Sequence, residues 1–287
     1  MKLLARNLTN KQKTTIGIAL IILLSVVYAL IVRSTTPRVT HHVRMVYRKK
    51  LQKADRYWKR AKEVDYKSVP ELLAQHKAEL ERGVRHDILM RGPVSQRQVA
   101  LTFDDGPHPL FTKRILTILD EYNVKATFFL VGEMAERYPA LVRAEVADGH
   151  SIGNHTYHHV NVTKIPTGYI ATEIGACDEV LESITGKSVH LFRPPGGDYN
   201  DNVAEVCEAL NHTMVLWTDD PGDYADPGVG VIDQRVLETV SNGGIILIHD
   251  GVQQTIDTLP YILQVLKDRG YQFVTIDEML KEQGDKH

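Results

Sequence analysis

The sequence predicts an α/β protein, in which a distorted barrel of seven β/α units follows a transmembrane helix and a helical stalk. From about residue 96, short β-rich runs alternate with helical stretches, which is typical of a parallel sheet with helices outside it. These runs are continuously apolar, as strands buried on both faces must be. A long uncharged run near the N-terminus predicts the membrane segment.

Composition limits the classes of function. The 287 residues, 43% hydrophobic and 24% charged, are enough for one large domain with additional segments. The formal net charge of −2 predicts no general attraction to nucleic acid. Thirteen histidines make metal binding worth testing, whereas the absence of a CxxC motif argues against cysteine-based zinc or redox sites. Cys177 and Cys207 are expected as buried thiols on separate helices, with pairing in an oxidising compartment as the alternative.

Residues 14–32 form the predicted transmembrane segment. They carry no charge over 19 residues, and as a helix they would span about 28 Å, close to the thickness of a bilayer core. Basic residues on both sides do not fix the orientation. We expect an uncleaved single-pass anchor, with residues 1–13 in the cytoplasm and the C-terminal domain outside the cell. A cleavable signal peptide, with Val27 and Ala29 near the cleavage site, would make the protein secreted instead.

Residues 33–95 are predicted to be a helical stalk or linker, because they are rich in helix formers and in charges of both signs. Ser68 followed by Pro70 and Glu71 is typical of a helix start. We expect solvated helices that hold the next domain away from the membrane. The alternative is a basic face that lies on anionic lipid.

The C-terminal domain is predicted to span residues 96–287. Its helical stretches often end in glycine, which fits a helix C-terminus. The predicted strands are residues 98–103, 125–131, 150–155, 188–194, 213–218, 244–250 and 272–277.

Polar side chains follow five of these strands at their C-terminal ends. In parallel β/α barrels that end carries the active site. Each group is weak by itself: two histidines four residues apart are expected by chance about 0.5 times here, and a double Asp before Gly-Pro is commonly a turn. Together and in this order they favour an enzyme. The residues are Asp104, Asp105, His155, His159, Arg193, Asp219, Asp220, Asp223, His249 and Asp250.

This set of residues resembles the polysaccharide deacetylase family, carbohydrate esterase family 4, with its NodB homology domain. The resemblance covers residues 98–280. Five motifs occur in the family's order: TFDDGP at 102–107, HTYHH at 155–159, RPPGG at 193–197, WTDDPGDY at 217–224 and LIH at 247–249. Two positions depart from the family pattern. Tyr224 stands where the family's fourth motif usually has a tryptophan that forms a wall of the substrate groove, and Gly196 stands where an aromatic residue is commoner. Both departures concern substrate preference rather than chemistry.

The resemblance implies roles for the site residues. Asp105, His155 and His159 would hold one divalent metal ion, Zn²⁺ first, with Co²⁺, Ni²⁺ or Mn²⁺ as alternatives. Asp104 would act as the general base for a water activated by the metal, and Arg193 would relieve the repulsion between the two carboxylates.

His249 would protonate the leaving amine, with Asp223 orienting its ring. A backbone N–H near Gly196 would help to stabilise the oxyanion. Leu247 would line the pocket for the acetyl methyl group, and Trp217 and Tyr224 would bind substrate.

The resemblance also implies a function, the metal-dependent hydrolytic N-deacetylation of a cell-wall or surface polysaccharide. Peptidoglycan amino sugars are the first expectation for the substrate. Chitin oligomers or another surface polysaccharide come next, followed by O-acetyl xylan. Two further alternatives are an amidohydrolase that acts on a small cyclic amide and a sugar-binding module that has lost activity.

Overall fold

The computed structural model describes residues 64–284. The predicted transmembrane segment, residues 14–32, and the first part of the predicted stalk, residues 33–63, lie outside the described residues. Between residues 64 and 284, no helix is long and apolar enough to cross a membrane.

Helices and strands alternate along the described chain. In order, they are α1 (Val69–Glu81), β1 (Ile88–Leu89), β2 (Gln98–Gly106), α2 (Thr112–Glu121), β3 (Thr127–Leu130), α3 (Gly132–Arg137), α4 (Pro139–Ala147), β4 (Ser151–Asn154), α5 (Thr167–Thr185), β5 (Leu191–Phe192), α6 (Asp201–Ala209), β6 (Thr213–Val215), α7 (Val229–Thr239), β7 (Gly244–His249), α8 (Gln253–Asp268), β8 (Gln272–Val274) and α9 (Ile276–Gly284). Short 3₁₀ turns follow β4, β5 and β6. Each of the seven predicted strands overlaps a strand of the structure.

The strands form one parallel sheet in the order β1-β6-β5-β4-β3-β2-β7, and β8 pairs with the first residues of β2. The sheet is curled, so that the residues that follow β6, near one edge, reach β7 at the other edge. Asp219 there forms a parallel bridge with Ile246, and the Thr218 amide donates to the Ile245 carbonyl over 3.0 Å. The predicted α/β class is therefore confirmed, and the curled sheet is consistent with a distorted (β/α)7 barrel.

Strands β2 and β7 are buried along most of their length, as their apolar sequences require. β2 and β7 pair from Val99 with Gly244 to Asp104 with His249. This register places the last residue of β7 beside the first of the two adjacent acids on β2.

The described part of the predicted stalk, residues 64–95, differs from expectation because it packs on the domain. Leu72 of α1 is 1% exposed and belongs to the hydrophobic core, and β1 extends the sheet by pairing with β6. The other buried position of α1 is Glu79, whose carboxylate accepts a hydrogen bond of 2.9 Å from the Tyr199 hydroxyl. Because an acid takes an inward position, the helix lacks the apolar stripe that indicates a packed helix.

Two smaller predictions are confirmed. The helix start at Ser68 is present, with Pro70 in the first turn and the Ser68 amide donating to the Glu71 carboxylate over 2.8 Å. Cys177 on α5 and Cys207 on α6 are both buried and free.

The packing of α1 predicts a contrast between two adjacent leucines. Leu72→Ala is expected to lower the free energy of unfolding by about 2–5 kcal/mol, because it leaves a cavity in the core. Leu73, which is 48% exposed, supplies the matched control, and Leu73→Ala should cost much less. Urea unfolding measures both variants. Equal stability of the two variants would show that α1 is not part of the folded domain.

Candidate active site

The two adjacent acids at the end of β2 reach the same site because the strand is irregular there. Successive side chains of a regular strand point to opposite faces of a sheet. The register between β2 and β3 shifts between Phe103 and Gly106, and Asp105 has a φ of 71°. Such a bulge redirects a side chain. As a result, the Nε2 atom of His155 lies 3.6 Å from Asp104 Oδ2 and 3.5 Å from Asp105 Oδ1.

One carboxylate and two imidazoles converge on a candidate metal site. Ligand atoms of Asp105, His155 and His159 all lie within 4.8 Å of one another. Asp105 Oδ1 is 2.9 Å from His159 Nε2, yet this buried oxygen makes no hydrogen bond of good geometry. An unsatisfied buried carboxylate oxygen facing two imidazole nitrogens fits a divalent cation. The structure thus brings together the three predicted ligands.

The two histidines differ in their surroundings. His155 is buried, and its Nδ1 lies 2.8 Å from the Arg193 carbonyl oxygen, which can only accept a hydrogen bond. Nδ1 therefore carries the proton, and the Nε2 lone pair is left for a metal. Burial acts to lower the pKa of His159, but the neighbouring Asp105 carboxylate outweighs it and raises this pKa.

Asp104 is held by a buried arginine. The Arg193 guanidinium donates from Nη1 to Asp104 Oδ1 over 2.7 Å and to Thr102 Oγ1 over 2.8 Å, and it lies over the Phe129 ring. The charge of Arg193 and these hydrogen bonds offset the cost of burying the carboxylate. Because Arg193 occupies Oδ1, Oδ2 is the Asp104 oxygen that faces the metal ligands.

His249 and Asp223 form a second buried pair at the same rim. Asp223 Oδ1 lies 2.7 Å from His249 Nδ1, while Oδ2 accepts hydrogen bonds from the His249 amide over 2.8 Å and from the Thr255 hydroxyl over 2.5 Å. Burial alone would lower the pKa of His249, but the Asp223 charge and hydrogen bond outweigh it and raise this pKa to about 9. The pair leaves His249 Nε2 as the ring nitrogen that can exchange a proton with a ligand.

The remaining predicted site residues have different environments. Trp217 and Leu247 are each 1% exposed and belong to the hydrophobic core. Gly196 is buried, with a φ of 69°. Tyr224 is 39% exposed, and its ring lies edge-on to His249 with the centroids 5.3 Å apart. The substrate-binding roles of these four residues stay predictions.

One aromatic residue of the rim was not predicted. Tyr66 stacks on Tyr224 with ring centroids 4.1 Å apart and meets His249 edge-on at 6.0 Å. Tyr66 lies in the predicted stalk, outside every motif, and no pattern in the sequence pointed to it.

Comparisons of the sequence with known proteins identify related enzymes. Residues 91–215 match the family described as polysaccharide deacetylase. A peptidoglycan-N-acetylglucosamine deacetylase of Bacillus cereus is 39% identical over 194 residues, which cover 66% of this chain and 91% of that protein. A chitooligosaccharide deacetylase of Azorhizobium caulinodans is 33% identical over 192 residues, which cover 62% of this chain and 91% of that protein.

A solved structure extends the likeness to the fold. The crystal structure of the Bc1960 peptidoglycan N-acetylglucosamine deacetylase, in complex with an N-hydroxybenzamide compound, matches with a TM-score of 0.67 and 35% identity. The match covers 70% of this chain and 95% of that one. This chain therefore belongs to the polysaccharide deacetylase family, carbohydrate esterase family 4, and is an enzyme of that class, a hydrolase that acts on amide bonds.

Proposed function

We propose that this enzyme removes N-acetyl groups from the amino sugars of peptidoglycan by metal-assisted hydrolysis. One observation carries the proposal: a candidate metal site lies at the rim where Asp104 and His249 pair across β2 and β7, and each of these two residues has its own buried partner. The likeness to a peptidoglycan-N-acetylglucosamine deacetylase supports the choice of polymer.

Asp105, His155 and His159 would hold the metal. One oxygen and two imidazoles leave coordination positions open, which is typical of catalytic zinc sites, although Co²⁺, Ni²⁺ and Mn²⁺ suit the same ligands. A divalent ion held there would polarise the amide carbonyl and lower the pKa of a water molecule.

Asp104 is suited to the role of general base. Arg193 holds Oδ1 over 2.7 Å and leaves Oδ2 directed towards the metal ligands, 3.6 Å from His155 Nε2. From there Oδ2 can accept a proton from the attacking water as the new carbon–oxygen bond forms. A backbone N–H near Gly196 would donate to the developing oxyanion.

His249 is suited to the role of general acid. Asp223 raises the pKa of its imidazole, which favours the charged form, and holds the proton on Nδ1 by a hydrogen bond of 2.7 Å. Its Nε2 proton passes to the amide nitrogen as the carbon–nitrogen bond breaks, so the products are acetate and a free amino sugar. The two buried pairs thus divide proton acceptance and proton donation between them.

The N-terminal sequence supports a proposal about the location of the enzyme. We propose that residues 14–32 anchor the chain in the cell membrane and that the catalytic domain lies outside the cell, where peptidoglycan is the nearby insoluble polymer. Chitin oligomers are the second candidate substrate, supported by the likeness to a chitooligosaccharide deacetylase.

Acetate release tests the proposal. The purified enzyme is incubated with muropeptides, chitin oligomers, O-acetyl xylan and a small cyclic amide, each with and without added Zn²⁺. Acetate is measured for the first three substrates, and the ring-opened product is measured for the cyclic amide, whose hydrolysis releases no acetate. We expect metal-dependent acetate release that is fastest with muropeptides, and release slower by about 10²–10⁴-fold from an Asp104→Asn control. Faster release from xylan, or hydrolysis of the cyclic amide alone, would contradict the proposed substrate.

A further inference from the structure

Residues 64–67, here called the strap, cross the loop that follows β5. The Lys67 amide donates to the Gly196 carbonyl over 2.9 Å. Asp65 pairs with Lys164 at 2.8 Å, and Lys67 lies 3.8 Å from Asp198. The strap is therefore fixed to the catalytic rim by one backbone hydrogen bond and two ion pairs.

The absence of a side chain at Gly196 makes room for the strap. A Cβ atom at this position would lie 2.5 Å from the Asp65 carbonyl oxygen and 2.7 Å from Val64 Cγ1. With any other residue at position 196, either the strap backbone or the backbone of residue 196 would have to shift to relieve this contact. The left-handed φ of 69° at the same position further favours glycine.

The strap places the Tyr66 ring in the catalytic rim. The ring stacks on Tyr224 with an interplanar angle of 11°, and both rings meet His249 edge-on, each at 74°. Burial and the charges of Asp105 and Asp104 raise the pKa of Tyr66, so its hydroxyl stays protonated. Both tyrosines remain partly exposed and can contact a ligand.

We infer that Tyr66 is a specificity-determining residue which, together with Tyr224, forms an aromatic wall against the sugar ring that is deacetylated. The inference rests on the proposed function. The nitrogen that receives the proton from His249 is bonded directly to that sugar ring, so the ring must lie next to His249, where the two tyrosines are. Partly exposed aromatic side chains provide the rigid apolar surface that lines most ligand sites.

Kinetics on an N-acetylglucosamine oligomer test the wall. Tyr66→Ala should raise KM about three- to tenfold, with kcat within about threefold of the parent and bound metal unchanged. Tyr66→Phe keeps the ring and should bring KM back towards the parent value. Tyr261→Ala is the matched control, since Tyr261 is 54% exposed on α8, and it should change neither constant.

An unchanged KM in Tyr66→Ala would overturn the inference. A gain in kcat/KM would also overturn it, because it would show that the strap blocks the site.

Binding without turnover separates this inference from the proposed function. In an Asp104→Asn background, calorimetry should show that Tyr66→Ala weakens binding of the same oligomer about three- to tenfold. If the parent releases no acetate but this loss of affinity is found, the proposed function fails and the aromatic wall stands. If acetate is released while the dissociation constant is unchanged by Tyr66→Ala, the wall alone fails. If the parent releases no acetate and the Asp104→Asn chain, shown by thermal unfolding to be folded, binds no oligomer, both proposals fail.

Discussion

Asp105→Ala is expected to lose bound metal and turnover together, whereas Asp104→Asn is expected to lose turnover and keep the metal. Asp105 Oδ1 lies 2.9 Å from His159 Nε2 and 3.5 Å from His155 Nε2, so it belongs to the candidate ligand set. Asp104 instead gives one oxygen to Arg193 at 2.7 Å. Removing a general base costs about 10²–10⁴-fold in rate. Elemental analysis of the purified variants and acetate release measure the two effects.

Two controls make this comparison specific. Asp257→Asn, an exposed acid on α8, should change neither metal content nor rate. Asp104→Asn leaves the Arg193 charge buried without its carboxylate, which destabilises folded proteins, so thermal unfolding of each variant must show that it is folded at the assay temperature. Equal metal loss from the two Asp variants would contradict the division of labour between the adjacent carboxylates.

The position of the catalytic rim was predictable because parallel strands bring their C-terminal ends to one edge of the sheet. Asp104 and His249 are distant in sequence, yet their strands are neighbours and their residues pair. The irregularity of β2 was not predictable in the same way. A regular strand would have sent Asp104 and Asp105 to opposite faces, and only the register shift and the left-handed backbone at Asp105 show how both reach His155.

The N-terminal part of the described domain escaped prediction for physical reasons. β1 has two residues, too few for any periodicity to be recognised. The buried face of α1 includes Glu79, which is satisfied by Tyr199, a residue far along the chain. Tyr66 reaches the rim because the neighbouring Lys67 amide donates to the Gly196 carbonyl and its own ring stacks on Tyr224. No local sequence pattern reports contacts between such distant segments.

His249→Ala is expected to lower the rate by about 10²–10⁴-fold while leaving the metal content unchanged. The imidazole pairs with Asp223 rather than with the ligand set, so its loss should remove the proton donor alone. Metal loss from this variant would instead identify His249 as a further ligand. Activity within about threefold of the parent would indicate a structural role, since general acid catalysis is worth far more.

The pH dependence of the rate distinguishes proton donation by His249 from other roles. In the proposed mechanism the charged imidazole is the donor, so the rate should fall as pH rises through the pKa of His249, which Asp223 raises to about 9. This fall in rate at high pH is the alkaline limb of the pH profile. A divalent cation in the neighbouring site would repel the imidazolium, so in the metal-bound enzyme we expect the midpoint of the alkaline limb to lie below pH 9.

Asp223→Asn removes the negative charge that raises the pKa of His249, so the imidazole should lose its proton at lower pH than in the parent. The alkaline limb should therefore move to lower pH, and the maximal rate should fall. Thr255→Val supplies a matched control, because the Thr255 hydroxyl bonds to the other Asp223 oxygen, Oδ2, and its removal keeps the carboxylate charge. We expect this variant to shift the limb much less. Profiles of kcat against pH for the parent, Asp223→Asn and Thr255→Val on one acetylated oligosaccharide measure these shifts. An alkaline limb that stays in place in Asp223→Asn contradicts the proposed pairing even if His249 proves essential, because the proton lost in that limb would then belong to a group that Asp223 does not contact.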